Sequence, residues 1–197
     1  MACAGKRLST AEAGTFRGGL QFRRLSEADL DAARRFSCGQ REVDEFLRDR
    51  AVEAAGENWC VTWVFLHDGD IVGYVSLASV SIEMTSQELS AHNLGGRPKT
   101  WPGLLIGMLG VHDGYKGRRT GPHLLKFALG QAILMTHDIG CRFLVADVNS
   151  ADPAAIKMYT EFGFEAAGHE RYGSSAKRGQ PRYFYDLHTD PPADLEG

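Results

Sequence analysis

The sequence predicts one α/β domain, a mixed sheet with helices packed on it. Apolar runs of strand length alternate with helical periodicities in the order β-α-α-β-β-β-α-β-α-β-β. The 197 residues suit a single full-sized core. Near the middle, an apolar run ends in a turn dense in glycine and cation, Leu109-Gly-Val-His-Asp-Gly-Tyr-Lys-Gly-Arg-Arg-Thr-Gly121, and a helical pattern begins right behind it. A strand that feeds amides and positive side chains into a helix N-terminus makes a site for a phosphorylated ligand.

Each element has its own local reason. Residues 1–19 are small, polar and glycine-containing, and are expected to be a disordered lead-in to a domain over 20–189, with 190–197 as a flexible tail. Residues 21–25 can form a first strand. Ser26 is placed to cap a helix bearing Leu30, Ala33 and Phe36. After a break at 37–39, Val43, Phe46, Leu47, Ala51 and Ala54 mark a second amphipathic helix. The runs 59–66 and 71–82 are β-branched and aromatic, and Asp68-Gly69 between them is a hairpin signal. Residues 83–102 hold two glycines and two prolines and read as an irregular excursion. A strand over 103–111, a helix over 121–137 and a strand over 142–148 follow. Asp152-Pro153 then supplies an N-cap and a first-turn proline for a short helix to about 162. Final strands over 164–170 and 183–187 flank a basic, Gly/Ser-rich loop.

Composition narrows the function classes. A formal net charge of −3 argues against a surface coated in cations for non-specific nucleic-acid binding, although Lys and Arg are clustered. The four cysteines, Cys3, Cys38, Cys60 and Cys141, lack C-x-x-C spacing, which points to reduced thiols and to no metal site. No segment reaches the ~20 apolar residues of a membrane span, and the N-terminus lacks a signal-peptide core, so the expected location is the cytoplasm.

Two motifs carry the chemistry. The first is Lys116-Gly117-Arg118-Arg119-Thr120-Gly121; the second is Asp152-Pro-Ala-Ala-Ile-Lys-Met-Tyr159, followed by Gly163-Phe164. Together they resemble the pyrophosphate loop (Gln/Arg-x-x-Gly-x-Gly/Ala) and the Asn-x-x-Ala-x-x-Leu-Tyr…Gly-Phe segment of the Gcn5-related N-acetyltransferase (GNAT) superfamily. The resemblance spans roughly residues 21–188. It implies a mostly antiparallel central sheet with helices on both faces, and transfer of acetyl from acetyl-CoA to an amine. Leu109, Gly110 and Val111 then fall where the family splays two strands for the pantetheine arm. Lys116, Gly117, Arg118, Arg119, Thr120 and Gly121 fall on the phosphates, and Asp152 stands for the family asparagine. Arg119 occupies a glycine position, so it points outward or clamps the phosphates itself through a charge-assisted fork.

Amine acetylation needs a neutral nucleophile, a polarised thioester and a proton for the leaving thiolate. The resemblance assigns that proton to the phenol of Tyr159. For a general base the sequence offers Glu83 and His112 without deciding between them.

The segment Arg35-Phe-Ser-Cys-Gly-Gln-Arg-Glu-Val-Asp-Glu-Phe-Leu-Arg-Asp-Arg-Ala51 resembles the Phe-x-Cys-Gly…Leu-x-x-(Phe/Trp)-Leu…Ala stretch of GNAT toxins in toxin–antitoxin pairs. Residues 106–111 resemble their Leu-Gly-Arg-Leu-Ala-Val strand, with Met108 in place of the arginine. That resemblance implies the α-amine of aminoacyl-tRNA as acceptor, a ribbon-helix-helix antitoxin as partner, and is compatible with a homodimer. Arg97, Lys99 and Arg171 are the candidate substrate-binding cations, with Arg118, Arg119, Lys157, Lys177, Arg178 and Arg182 as further tRNA contacts. Two alternatives stay open: an enzyme acting on a small amine or a protein lysine, and a weakened CoA-binding interaction module.

Overall fold

Trp63, Val64, Phe65 and Leu66 are consecutive and all buried, which a strand achieves only when both faces of its sheet are covered. A computed structural model describing residues 13–15, 20–168 and 181–189 shows how. Its strands are β1 (Ala13–Thr15), β2 (Gln21–Arg24), β3 (Val61–His67), β4 (Asp70–Glu83), β5 (Thr100–Val111), β6 (Phe143–Asp147), β7 (Glu165–Ala166) and β8 (Arg182–Asp186). They form one sheet in the order β1-β2-β3-β4-β5-β6-β8-β7. Every pairing is antiparallel except β5 with β6. This is the mixed, mostly antiparallel sheet that the sequence predicts.

The helices are α1 (Leu30–Arg35), α2 (Arg41–Glu45), α3 (Ala51–Gly56), α4 (Ser86–Ala91), α5 (Thr120–Asp138) and α6 (Pro153–Glu161). On one face, Leu124, Leu125, Ala128 and Ala132 of α5 and Tyr159 of α6 pack on Phe65, Val75, Ile106 and Leu144. On the other, Ala33, Val43, Phe46, Leu47 and Ala51 cover Val64, Leu66 and Tyr74. Leu89 and Leu94 cover Leu105, Phe143 and Phe184 further along that face. No helix among the described residues is long and apolar enough to cross a membrane.

The strand expected over 164–170 is limited, among the described residues, to Glu165–Ala166, and the structure departs from the sequence reading in three further places. Ala13–Thr15, expected within a disordered lead-in, pairs antiparallel with β2, because backbone ladder bonds do not depend on side-chain hydrophobicity. Residues 83–102 are not simply irregular. Thr85 accepts from the Glu88 amide while Glu88 accepts from the Thr85 amide, a reciprocal capping box that starts α4. The strand after it also begins earlier, at Thr100. Finally, the helix expected across 43–54 is interrupted by a π turn at Phe46–Arg50, although its predicted apolar face is the buried one.

A buried charge cluster ties α4 to the far end of the sheet. Asp186, 4% exposed, accepts from Arg142 Nη2 at 2.7 Å and lies 2.9 Å from His92 Nδ1. Its other oxygen accepts from the His188 amide. Removing that carboxylate strands the partly buried Arg142 guanidinium. Asp186→Ala is therefore expected to cost about 3–5 kcal/mol in a urea titration, and Asp186→Asn less, since an acceptor remains. A loss below about 1 kcal/mol for the alanine variant would show that the cluster behaves like an exposed ion pair.

Candidate active site

Parallel pairing between β5 and β6 runs from Gly103↔Phe143 to Ile106↔Ala146 and stops, while β5 continues to Val111. The departure coincides with a bulge. Met108 faces Ser76 and Ile106 faces Leu77 on β4, so Gly107 is the extra residue and bends the strand. Beyond the bulge opens a cleft of about 690 Å³, lined by Leu109, Gly110 and Val111, by the loop into α5, and by α6. Gly110 has no room for a side chain: a Cβ would stand 2.8 Å from Tyr74 and 2.9 Å from Val43. Tyr74 is itself fixed there by donating its hydroxyl to the Val43 carbonyl at 2.7 Å.

The loop reaches α5 through the Thr120 hydroxyl, which donates to the Tyr115 carbonyl. The His123 amide bonds Arg119 O, and Thr120 and Gly121 lie in the first turn of the helix, at the positive end of its dipole. Pro122 has no amide to lose there. Arg119 caps α5 in the left-handed region, at φ 61°. This explains why the family pattern favours glycine at that position. Arg119 is among the residues that line the cleft. Lys116 also lines the cleft, but its ammonium group donates to Cys38 O at 2.7 Å and lies 2.7 Å from Asp113. That pairing raises the Lys116 pKa and lowers that of Asp113. Cys38 is buried, and burial pushes its thiol up to about 12, so it stays protonated at neutral pH.

The opposite wall is α6. Asp152 Oδ1 accepts from the Ala155 amide, as the cap requires, and Pro153 sits in the first turn. At its far end the Phe164 amide bonds Tyr159 O while Gly163 takes φ 102°, a conformation that favours glycine. That reversal lays Phe164 edge-on against Tyr159, with ring centroids 5.1 Å apart. The Tyr…Gly-Phe spacing is thus a folded turn with its own packing. Tyr159 is 7% exposed and belongs to the core; its α6 neighbours Ala155 and Met158, and Phe162 after them, line the cleft, whereas Tyr159 itself does not. Burial raises its pKa well above the ordinary tyrosine value. Its hydroxyl has no hydrogen-bond partner among the described residues.

The cleft brings together Leu109, Gly110, Val111, Lys116, Gly117, Arg119, Thr120, Gly121 and Asp152, which the sequence reading names for the cofactor, but not Tyr159. Arg118 is not in its lining; its guanidinium lies 5.1 Å from the Tyr115 ring centroid. Arg97 and Lys99 precede β5, at the end of that strand opposite the cleft, and the structure does not bring them to it. Arg171 lies outside the described residues, as do Lys177 and Arg178. Arg182 is held by Asp147 through two bonds of 2.7 and 2.9 Å. Of the two candidate bases, Glu83 pairs with Thr100 at the far end of β4, and His112 Nδ1 accepts from the Gly114 amide in a turn. The sequence reading missed His123 and Lys126 in the lining. Their spacing from Arg119, four and seven residues on, gives one helical face and is visible in the sequence. It also missed Cys38 and Gln40, which only tertiary packing delivers.

The sequence profile described as the acetyltransferase (GNAT) family matches residues 25–164. The chain belongs to the GNAT family. It is 31% identical over 143 residues to a tRNA-acetylating toxin of Mycobacterium tuberculosis (strain ATCC 25618 / H37Rv), covering 73% of this chain and 82% of that protein. Among solved structures, AtaT complexed with acetyl-methionyl-tRNAfMet superposes with a TM-score of 0.73 at 18% identity, over 85% of this chain and 94% of that one. A mutant AtaT toxin bound to the C-terminus of the antitoxin AtaR and acetyl-CoA gives 0.64 at 18% identity, over 85% and 93%. These two likenesses establish a shared fold.

The backbone at Arg119 and at Gly110 of β5 sets two stability expectations. Arg119→Gly relieves a left-handed arginine and is expected to raise stability by about 1 kcal/mol in urea; no gain would mean that the side chain's contacts offset the strain. Gly110→Ala overpacks against Tyr74 and Val43 and is expected to cost about 1–3 kcal/mol by the same titration.

Proposed function

We propose that the protein transfers the acetyl group of acetyl-CoA to the α-amine of aminoacyl-tRNA, and so stops translation. The observation that carries this reading is the cleft beside β5, beyond the point where its pairing with β6 ends. An apolar wall from β5 suits the pantetheine arm, and Lys116, Arg119, His123, Lys126 and Lys157 are gathered around the start of α5 for the phosphates. The acceptor is read from the mycobacterial relative, whose name gives tRNA as its substrate.

In the reaction, the neutral α-amine attacks the thioester carbonyl, an amide C–N bond forms, and the C–S bond breaks. The departing CoA thiolate takes a proton from the Tyr159 hydroxyl, and the amine nitrogen loses one to solvent. An aminoacyl ester's amine is less basic than a lysine side chain and is largely neutral near pH 7, so no dedicated protein base is required. A general acid must be protonated to work. Burial raises the Tyr159 pKa, so the acid form persists to higher pH than for an exposed tyrosine. The same reading implies the cytoplasm, where charged tRNA is found. It also implies an antitoxin whose tail covers the cleft, as AtaT is bound to the C-terminus of AtaR.

The test is transfer of labelled acetyl to bulk charged tRNA, with deacylated tRNA, a polyamine and a lysine peptide as parallel acceptors. Label confined to charged tRNA supports the proposal, and label on the amine or peptide replaces it with an ordinary small-amine or lysine acetyltransferase. Tyr159→Phe is expected to lower turnover at least ~100-fold while acetyl-CoA binding is retained. Turnover by the unmodified enzyme should show no alkaline loss below about pH 10, the ordinary phenol value; an earlier fall would assign the proton to another group. Because phosphates are gripped by cations, activity on tRNA should drop at least about tenfold between roughly 50 and 200 mM salt.

A further inference from the structure

The turn at residues 37–40 crosses from one rim of the cleft to the other. On the rim formed by the loop before α5, Lys116 Nζ donates to Cys38 O at 2.7 Å and the Asp113 amide donates to Ser37 O at 2.9 Å. The Ser37 hydroxyl adds a bond to Asp113 Oδ2 at 3.3 Å. On the other rim, Gln40 Nε2 donates to Asp152 Oδ2 at 2.7 Å, joining positions 112 residues apart in sequence. Cys38 and Gln40 both line the cleft beneath this bridge. The first attachment involves a backbone carbonyl, a backbone amide and a buried cysteine. The second is a single bond between two side chains, of which Gln40 is exposed and Asp152 half-buried.

We propose that the Gln40–Asp152 pair is a clasp that closes the cleft over the extended arm of the acyl donor, making Gln40 a positioning residue for that donor. The inference rests on the cleft being the acetyl-CoA site. Asp152 stands where the family pattern has asparagine, so a carboxylate faces a site that binds an anionic ligand. The amide of Gln40 occupies one oxygen of that carboxylate, and the helix cap occupies the other. Gln40 thereby returns to the rim the amide that the substitution removed. Its remaining N–H and its carbonyl oxygen are left to meet the amides of the pantetheine arm. The strong end of the strap holds Lys116, a cation of the phosphate loop, so ligand and strap share one anchor.

The experiment is calorimetric titration of the full-length protein with acetyl-CoA, alongside Gln40→Glu, Asp152→Asn and the double variant. Gln40 is exposed and an asparagine at position 152 can still cap α6, so thermal unfolding of each variant should match the parent and show that folding is intact. Gln40→Glu opposes two carboxylates and is expected to weaken binding about tenfold. Adding Asp152→Asn restores a donor–acceptor pair with the roles exchanged, and should recover most of that loss. Asp152→Asn alone should change affinity much less than this recovery. Unchanged binding by Gln40→Glu overturns the clasp, as does a double variant no tighter than Gln40→Glu. An Asp152→Asn gain equal to the recovery overturns it as well, because removal of charge would then explain the result without pairing. A parent protein that binds no acetyl-CoA overturns the proposed function and the clasp with it. Normal parent binding with insensitive variants overturns the clasp alone.

Discussion

Strands β5 and β6 share only four paired positions, Gly103–Ile106 against Phe143–Ala146, and the rest of the site follows from where that pairing ends. A parallel ladder would otherwise continue and bury its backbone groups in the sheet. The extra residue at Gly107 turns β5 away, and the opening leaves space that the adjoining helices do not fill. The bent strand must still lie flat on α2 and Tyr74, which forces glycine at position 110. The packed core and the binding cleft thus place demands on the same few residues of β5.

The cation loop shows a second compromise. Its sequence is richer in charge and poorer in glycine than the family pattern, and Arg119 adopts a left-handed backbone at the helix start. A residue in that conformation costs on the order of 1 kcal/mol, which a bidentate contact to phosphate can offset. Lys116 is already paired with Asp113 and donates to the Cys38 carbonyl. The loop therefore presents less free positive charge to the cleft than its composition suggests. His123 and Lys126, on the next turns of α5, also line the cleft.

Tyr159 illustrates how a catalytic candidate is embedded in a core. The same packing that fixes its ring against Phe164 raises its pKa and keeps the phenol protonated. Gly163 supplies the backbone reversal that makes the packing possible. A motif recognisable by spacing alone is therefore also a folding unit, consisting of a helix cap, a turn and an aromatic pair.

The sequence by itself determined the elements whose signals are local. Hydrophobic periodicity located α5 and the apolar face of α2–α3, Asp68-Gly69 located the hairpin, Asp152-Pro153 located the start of α6, and the two motifs together with residues 109–111 located most of the cleft's residues. Capping and periodicity act over a few residues, so they leave a readable pattern. The Thr85–Glu88 box that starts α4 was equally readable and was obscured by the glycines and prolines after it. Only the tertiary structure decided the rest. It put Arg97 and Lys99 at the wrong end of β5, tied Lys116 to Cys38, and set Gln40 against Asp152 across the cleft. Such pairings depend on how α1, α2 and α6 pack around one sheet, and no local pattern encodes the distance between residues that meet only after folding.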